Sequence, residues 1–337
     1  MAATELGSTE QRLSEVYDLA MLDLDGVVYI GPDAVPGAPA HLEEAGRAGM
    51  RSAYVTNNAS RPPSRVAHHL RELGIPARTD DVVTSAQAAA RLVADRFGAG
   101  APVFVIGGEG LFFALGEHDL HGIQAPDQDP VAVVSGYHPD LRWRTVIDGA
   151  ILVKEGLPWF ASNTDLTVPT PRGVGPGNGV LVRVVAEFSG TSPVVAGKPE
   201  PPLFQETQRR VGGRRALVVG DRLDTDIEGA VRSGFDSLLV MTGVTTVAEL
   251  VAAAPQRRPT YIAADLGGLN QPHPAPRREG AAWTLRGWES RVEDSTLAVR
   301  GDGSVDDYWR VVAAAAWAHL DATGEPARFD TLAVPAT

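Results

Sequence analysis

The sequence predicts an α/β protein built on a doubly wound parallel sheet. Short apolar runs of strand length alternate with amphipathic stretches of helix length, which is the pattern of parallel sheets with crossover helices. Several of the apolar runs are followed directly by a cluster of polar residues. In sheets of this kind ligands bind at the carboxyl ends of the strands, so we expect the functional residues in those clusters. The 337 residues are enough for two domains and a small third.

The outer parts of the chain supply the predicted main sheet, and the middle forms an inserted unit. Strands of the main sheet are predicted at 19–22, 52–55, 216–219 and 237–240, with helices at 37–49, 64–73 and 224–233. The middle segment alternates by itself, with strands at 103–106 and 131–134 and a helix at 141–153. We therefore expect a core made of residues 17–83 and 186–270, with an α/β cap at 84–185 between its two parts.

The tail of the chain predicts a small appended α+β module at 277–337. It follows a Pro-rich stretch at 271–276 that is typical of a linker. Strands are predicted at 282–285 and 296–299, and a helix is expected to begin at Ser304, which has Asp307 three residues later. Because the module contains no cluster of catalytic residues, we expect it to be structural or regulatory. A chain ending near Asn270 should then keep its chemistry.

Composition excludes several classes of protein. A net charge of −12 and a pI of about 5.1 argue against nucleic-acid binding, which needs a basic surface. The absence of cysteine excludes disulfides and thiolate metal sites. Residues 1–18 are polar and lack the pattern of a signal peptide, and no apolar run reaches the ~18 residues of a membrane helix. We expect a cytoplasmic protein without a membrane partner.

The first polar cluster is Asp23-Leu24-Asp25-Gly26, directly after the predicted strand 19–22. Two carboxylates two residues apart in a turn can face the same pocket. One can attack a phosphorus atom, and the other can protonate the leaving oxygen and later deprotonate a water molecule. The alternative is a turn with two solvated acids.

Two further clusters are suited to binding a phosphate group. Thr56 and Asn57 follow the strand at 52–55 and offer a hydroxyl group and backbone N–H groups. Lys198 lies between Gly197 and Pro199, in a chain with only one other lysine, and its ammonium group can offset phosphoryl charge. The alternatives are an Asn-rich turn and a solvated surface charge.

The last cluster is acidic and suits a metal ion. Asp221, Asp224 and Asp226 follow the strand at 216–219, and carboxylate oxygens are the ligands that Mg²⁺ prefers. The alternative is that Asp224 caps the following helix and Asp226 favours its first turn. Capping does not account for Asp221.

Taken in order, these four motifs resemble those of the haloacid-dehalogenase superfamily of phosphatases, over about residues 17–266. Asp25 differs from the dehalogenase pattern, in which no leaving group needs a proton. Lys198 lies 142 positions after Thr56, which leaves room for a cap between them. This arrangement resembles the type IIA, or C2, cap of the NagD-like family, which includes p-nitrophenyl, pyridoxal and phosphoglycolate phosphatases. Within that family the chain is most similar to actinobacterial glycerol-3-phosphate phosphatases.

The resemblance implies roles for the acidic residues. Asp23 would be the nucleophile that forms an aspartyl-phosphate, and Asp25 the general acid and base. Mg²⁺ would be bound by Asp23, by the backbone carbonyl of Asp25 and by Asp221, with Asp226 supporting the metal through water or a ligand.

For the phosphate-binding residues, the resemblance implies that Thr56, the Asn57 backbone and Lys198 contact the phosphoryl oxygens. Two other functions stay open. A phosphotransferase or mutase would use the same intermediate with an acceptor other than water. A non-catalytic protein on this fold would be expected to have lost at least one of these residues.

The substrate should be a small phosphate ester, because a cap over the strand ends excludes macromolecules. Asn163 and Asp165 in the cap are the leading candidates to bind its leaving group, with Arg172, Tyr137 and His138 as weaker ones. Asn and Asp suit hydroxyl groups, which favours glycerol 3-phosphate. Phosphoglycolate, pyridoxal phosphate and a nucleoside monophosphate are the alternatives, and the two residues can instead merely shape a turn. A homodimer through the cap is a further expectation.

Overall fold

A computed structural model of the protein describes residues 5–170 and 172–329. The chain divides into two compact units. The first consists of Met1–Ala53 and Gly212–Thr337, and the second of Tyr54–Val211. This division follows spatial compactness; the predicted boundaries at 17–83, 84–185, 186–270 and 277–337 stay a prediction. Residues 330–337 of the predicted extension lie outside the described residues.

The first unit is built on parallel strands, as the apolar runs predicted. The strands follow one another in the order Tyr261–Ala263, Asp236–Val240, Ala216–Gly220 and Leu19–Leu22. The strand Arg51–Thr56 begins in this unit and leads the chain into the second. The helices of the first unit are Leu13–Val16, Ala38–Arg47, Glu228–Ser233, Val247–Val251 and Val305–Thr323. A π-helical turn spans Leu223–Ile227, and 3₁₀ turns span Pro255–Arg257 and Leu266–Asn270.

The second unit has its own parallel sheet of five strands. Their order is Val194–Val195, Trp159–Ala161, Ala132–Ser135, Pro102–Ile106 and His121–Ile123. Val82–Thr84 pairs in parallel with residues 54–56, and Thr167–Thr170 forms a hairpin with Gly173–Pro176. The helices are Pro63–Glu72, Ser85–Phe97, Glu109–Gly116, Trp143–Lys154, Asn178–Ser189 and Pro202–Val211, with a 3₁₀ turn at Thr79–Asp81. The predicted strands and helix of the inserted segment are therefore confirmed.

The C-terminal extension is larger in strand content than the sequence predicted. Its four antiparallel strands are Arg277–Glu279, Ala282–Leu285, Trp288–Glu293 and Thr296–Gly301. The first and third of these were not predicted. The predicted helix is confirmed: the Ser304 side chain accepts a hydrogen bond from the Asp307 N–H group, as an N-cap does.

The predicted linker at 271–276 is wrong. Pro272–His273 pairs with the N-terminal strand Thr9–Arg12, and the His273 ring is buried. Its Nε2 atom bonds the Gly268 carbonyl, and its Nδ1 atom lies 3.0 Å from the Arg310 guanidinium. Burial and the Arg310 charge lower the pKa of His273 to about 3, so the ring is neutral at neutral pH. The Pro-rich composition is typical of a linker. The strand that pairs with this segment was not recognised, because it lies more than 250 residues away in the sequence.

The long C-terminal helix shares a hydrophobic core with the parallel sheet of its own unit. Val311, Val312 and Trp317 of the helix are at most 1% exposed, and they belong to the same buried cluster as Leu239 and Ile262 of the sheet. The extension is thus part of the fold of the first unit. No helix among the described residues is both long enough and apolar enough to cross a membrane.

Candidate active site

Three carboxylates of the first unit meet at the carboxyl ends of neighbouring strands. Asp23 follows Leu19–Leu22, while Asp221 and Asp226 follow Ala216–Gly220. One oxygen atom of each lies within 4.8 Å of the others. Asp221 and Asp226 are at most 1% exposed, and Asp23 is half-buried. The strand ends bring together residues about 200 positions apart, as the doubly wound sheet predicted.

The turn that begins at Asp23 places the two predicted catalytic acids, Asp23 and Asp25, on the side of the strand end that faces away from the core. The Asp23 N–H group continues the sheet by bonding the Val219 carbonyl. Leu24 is buried, whereas Asp25 is exposed, so the side chains alternate between core and surface. Gly26 has φ +82°, a conformation that favours glycine, and it closes the turn. Both acids of the motif therefore lie at the surface side of one strand end.

Asp226 is held against the strand end by a tight local turn. The Ile227 N–H group bonds the Arg222 carbonyl, which makes the turn π-helical, and the Arg222 N–H group donates to the Asp226 carboxylate over 3.2 Å. A Cβ atom at Gly220 would lie 2.2 Å from the Asp226 side chain, so only glycine fits there. Asp224 does not cap the helix; its carboxylate pairs with the Arg222 guanidinium instead.

This acidic group fits a hard divalent cation. Three carboxylates this close repel one another, and two of them are almost fully desolvated. Mg²⁺ prefers such oxygen ligands and keeps several of its waters, so it would offset the repulsion. Sequence reasoning gave Asp226 only a supporting role. The geometry brings its carboxylate as close as those of Asp23 and Asp221, and the Asp25 side chain is not in the group.

In the second unit, the Asn57 side chain joins two loops. Its Nδ2 atom donates to the Asp165 carboxylate at 3.2 and 3.1 Å and to the Lys198 carbonyl at 3.1 Å. Its Oδ1 atom accepts from the Lys198 N–H group at 2.8 Å. The Asn57 carbonyl accepts from the Asn163 amide and the Ser85 hydroxyl, both at 2.6 Å. Sequence reasoning used only the backbone of Asn57 and missed these contacts.

The predicted phosphate-binding residues are buried or half-buried. Thr56 is 6% exposed, and its hydroxyl oxygen accepts a hydrogen bond from the Asn58 N–H group. Lys198 is 3% exposed, which contradicts the alternative of a solvated surface charge. A Cβ atom at Gly197 would lie 2.5 Å from the Asn57 Oδ1 atom, so the lysine loop packs directly on that side chain.

The candidate substrate residues of the second unit differ in how far they are buried. Asn163 is buried and shapes a turn: its Oδ1 atom accepts from the Asp165 N–H group, and its amide donates to Asn57. Asp165 is half-buried and close to Asn57. Arg172 is exposed, at the turn of the hairpin Thr167–Pro176. Tyr137 and His138 are half-buried, and the His138 ring lies against Gly108.

A fourth polar segment at a strand end was missed. Thr242–Thr245 follows the strand Asp236–Val240, and it contacts Asp221 and the turn after Asp23. A glycine and two threonines directly after an apolar strand were the signal that could have found it. The same rule identified the clusters at Asp23, Thr56 and Asp221.

Comparison with known proteins identifies the family. The family model for haloacid dehalogenase-like hydrolases matches residues 20–121, and a HAD-hydrolase-like model matches residues 195–269. The D-glycerol 3-phosphate phosphatase of Mycobacterium tuberculosis is 40% identical over 314 residues, covering 90% of this chain and 87% of that protein. An acid sugar phosphatase of Staphylococcus aureus is 34% identical over 252 residues, covering 74% of this chain and 95% of its own.

Solved structures agree with this assignment. The crystal structure of a glycerol phosphate phosphatase from M. tuberculosis in complex with magnesium superposes with a TM-score of 0.85 and 39% identity, covering 95% of this chain and 94% of that one. A 4-nitrophenylphosphatase from Thermotoga maritima gives 0.71 and 29% identity, covering 77% and 98%. The chain therefore belongs to the haloacid dehalogenase-like hydrolases and is a phosphatase of that family.

Proposed function

We propose that the phosphatase works through an aspartyl-phosphate on Asp23. An oxygen of Asp23 attacks the phosphorus atom, the bond from phosphorus to the ester oxygen breaks, and Asp25 gives its proton to the leaving oxygen. Asp25 then takes a proton from water as that water attacks the phosphorus, which releases inorganic phosphate and restores Asp23. The observation that carries this proposal is the half-buried Asp23 beside two buried carboxylates, with Asp25 exposed two residues later.

In this proposal, the other predicted site residues bind the phosphoryl group and the metal. Thr56, the Asn57 backbone and Lys198 contact the phosphoryl oxygens, and the Lys198 charge offsets theirs. Mg²⁺ would be held by Asp23, the Asp25 carbonyl and Asp221, with Asp226 supporting it through water or through contact with one of these ligands. When bound, the cation supplies positive charge to the phosphoryl oxygens. The predicted cytoplasmic location stays a prediction.

We propose glycerol 3-phosphate as the substrate. The M. tuberculosis relative that matches 90% of this chain carries that activity in its name. Asp165 is half-buried, and its carboxylate can accept a hydrogen bond from a substrate hydroxyl group. Asn163 contributes by shaping the loop, because its amide and carbonyl already bond Asn57 and Asp165.

Phosphate release should be fastest with glycerol 3-phosphate in a panel that includes phosphoglycolate, pyridoxal phosphate and a nucleoside monophosphate. The measurement is kcat/KM for each ester at saturating Mg²⁺. The reason is that a hydroxyl group of the leaving group can donate a further hydrogen bond to the Asp165 carboxylate, whereas the carboxylate of phosphoglycolate would be repelled by it. Glycerol 3-phosphate in last place would refute the substrate but leave the phosphatase chemistry intact.

A variant of Asp165 tests whether this side chain contacts the leaving group. Asp165→Ala should lower kcat/KM for glycerol 3-phosphate more than for p-nitrophenyl phosphate, whose leaving group has no further hydroxyl. Thr164→Ala is the matched neighbour, since Thr164 is exposed. Equal losses on both esters would mean that Asp165 acts on the site and not on the leaving group.

We propose that the predicted homodimer forms through two apolar stripes of the second unit. Helices Trp143–Lys154 and Asn178–Ser189 pack against each other. Each exposes three large apolar side chains at spacings of four residues, so each stripe lies along one face of its helix. The stripes are Trp143, Ile147 and Ile151, and Val180, Val184 and Phe188, all 40–63% exposed. Exposed apolar surface of this extent is typical of an interface, and a second copy of the chain presents the same surface.

Ile147→Glu should convert a dimer into a monomer, because it places a charge in the centre of the apolar surface. The measurement is the molar mass in solution by sedimentation or light scattering. Arg96→Glu is the control, since it changes the charge at an exposed position of the helix Ser85–Phe97, which carries none of the stripe residues. A monomeric native protein, or an Ile147→Glu variant that stays dimeric, would contradict the proposal.

A further inference from the structure

The loop Thr242–Thr245, here called the brace loop, contacts both acidic segments of the proposed metal site. It directly follows Met241, whose N–H group bonds the carbonyls of Ala263 and Ala264 at the end of the neighbouring strand. The loop is therefore fixed at its start by the sheet. It belongs to none of the four motifs that the sequence indicated.

The brace loop fixes Asp221 through both its carboxylate and its backbone. The Val244 N–H group donates to the Asp221 Oδ2 atom at 2.8 Å, and the Thr245 hydroxyl donates to the Asp221 carbonyl. A Cβ atom at Gly243 would lie 1.9 Å from the same carboxylate oxygen. The position of Asp221 is therefore fixed by the backbone of the loop and by the buried Thr245 side chain.

The same loop fixes the turn that follows the nucleophile. The Thr242 hydroxyl donates to the Gly26 carbonyl at 2.5 Å. A Cβ atom at Gly26 would lie 2.5 Å from the Asp221 Oδ2 atom, so the turn and Asp221 are in close contact. One loop therefore sets the spacing between the segment that carries Asp23 and the segment that carries Asp221.

The residues that flank the brace loop pack against a hydrophobic cluster shared with the extension. Met241 and Val247, which flank the loop, lie against the hydrophobic cluster that contains Trp309 and Trp317 of the C-terminal helix. Leu223 and Ile227, at the two ends of the turn that carries Asp226, belong to the same cluster. The segments that position Asp221 and Asp226 therefore share a hydrophobic core with the C-terminal helix.

We propose that Thr245 and Thr242 are positioning residues for the metal, which hold Asp221 and the Asp23–Gly26 turn at the spacing that Mg²⁺ requires. The inference rests on the proposed metal site of Asp23, Asp221 and Asp226. A divalent cation with a strict octahedral shell gains little from ligands that are free to separate. Residues that orient metal ligands by hydrogen bonds influence affinity although they never touch the ion.

Thr245→Val tests the proposal, because valine keeps the shape and removes the hydroxyl group. We expect its Mg²⁺ dissociation constant, measured by calorimetry without substrate, to rise about tenfold or more. The increase in Tm that Mg²⁺ produces should fall in parallel. Thr245→Ser, which keeps the hydroxyl group, should restore most of the affinity. Thr242→Val is the second variant, and it tests the contact with Gly26.

Thr246→Val is the matched control. Thr246 is the next residue and caps the helix Val247–Val251 by accepting from the Glu249 N–H group. Its loss should lower the Tm without Mg²⁺ but leave Mg²⁺ affinity unchanged. The proposal is overturned if Thr245→Val and Thr242→Val bind Mg²⁺ as tightly as the native protein, or if Thr246→Val weakens binding equally. Asp221→Asn distinguishes a failure of the proposed metal site from a failure of the positioning role. If this variant binds Mg²⁺ with native affinity, the proposed metal site is wrong, and so is the positioning role that rests on it.

Discussion

Asp23→Asn should lower the rate of phosphate release by at least ~10³-fold, because an amide cannot form the acyl-phosphate and the whole covalent route disappears. The substitution keeps size and shape, and Asp23 is only half-buried, so the fold should persist. The measurement is kcat on glycerol 3-phosphate at saturating Mg²⁺, with thermal unfolding of the same sample. In the Asp25→Asn variant, hydrolysis of the intermediate should slow, so that mass spectrometry detects one phosphoryl group on the peptide that contains Asp23.

Asp127→Asn is the matched control for the nucleophile. Asp127 is an exposed carboxylate in a loop of the second unit, and its loss should leave kcat unchanged. If Asp23→Asn retains more than about a tenth of the native rate, the proposed covalent mechanism is wrong. A phosphoryl group found on a different residue would have the same meaning.

A chain that ends at Asn270 should fail to fold, which reverses the expectation from the sequence. The truncation removes the C-terminal helix and uncovers Leu239, Leu250 and Ile262, which are fully buried in the intact protein. Each such side chain is worth about 1.5–3 kcal/mol when buried. Several of them together match the whole net stability of a typical domain, about 5–15 kcal/mol. The measurement is the thermal unfolding transition of the purified chain, which should be absent.

Point variants of the same helix give a graded control. Trp317 is 1% exposed, and its indole N–H group donates to the Leu250 carbonyl. Trp317→Ala should therefore cost about 3–5 kcal/mol, and Thr323→Ala at the exposed end of the helix far less. A truncated chain that unfolds cooperatively and hydrolyses the substrate would show that the extension is dispensable.

Local sequence patterns predicted most of the strands and helices and the positions of the motifs at the strand ends. The strands Leu19–Leu22 and Ala216–Gly220 are continuous apolar runs, and acids at their ends were expected to lie at one edge of the sheet. The structure brings Asp23, Asp221 and Asp226 together there. The π-helical turn Leu223–Ile227 was not predictable from periodicity, because it depends on the fit of Asp226 against Gly220.

The sequence by itself determined the parallel α/β fold, the family and the acidic and phosphate-binding clusters, because these depend on short segments with strong local preferences. Only the tertiary structure decided how the segments support one another. The Asn57 side chain bonds Asp165 and Lys198, and the brace loop bonds Asp221 and Gly26, across separations of more than 20 to more than 200 residues. Likewise, the C-terminal helix is part of the core because its apolar face meets strands far away in the chain. Contacts between segments so distant leave no periodic signal in the sequence, since each partner alone is compatible with many neighbours.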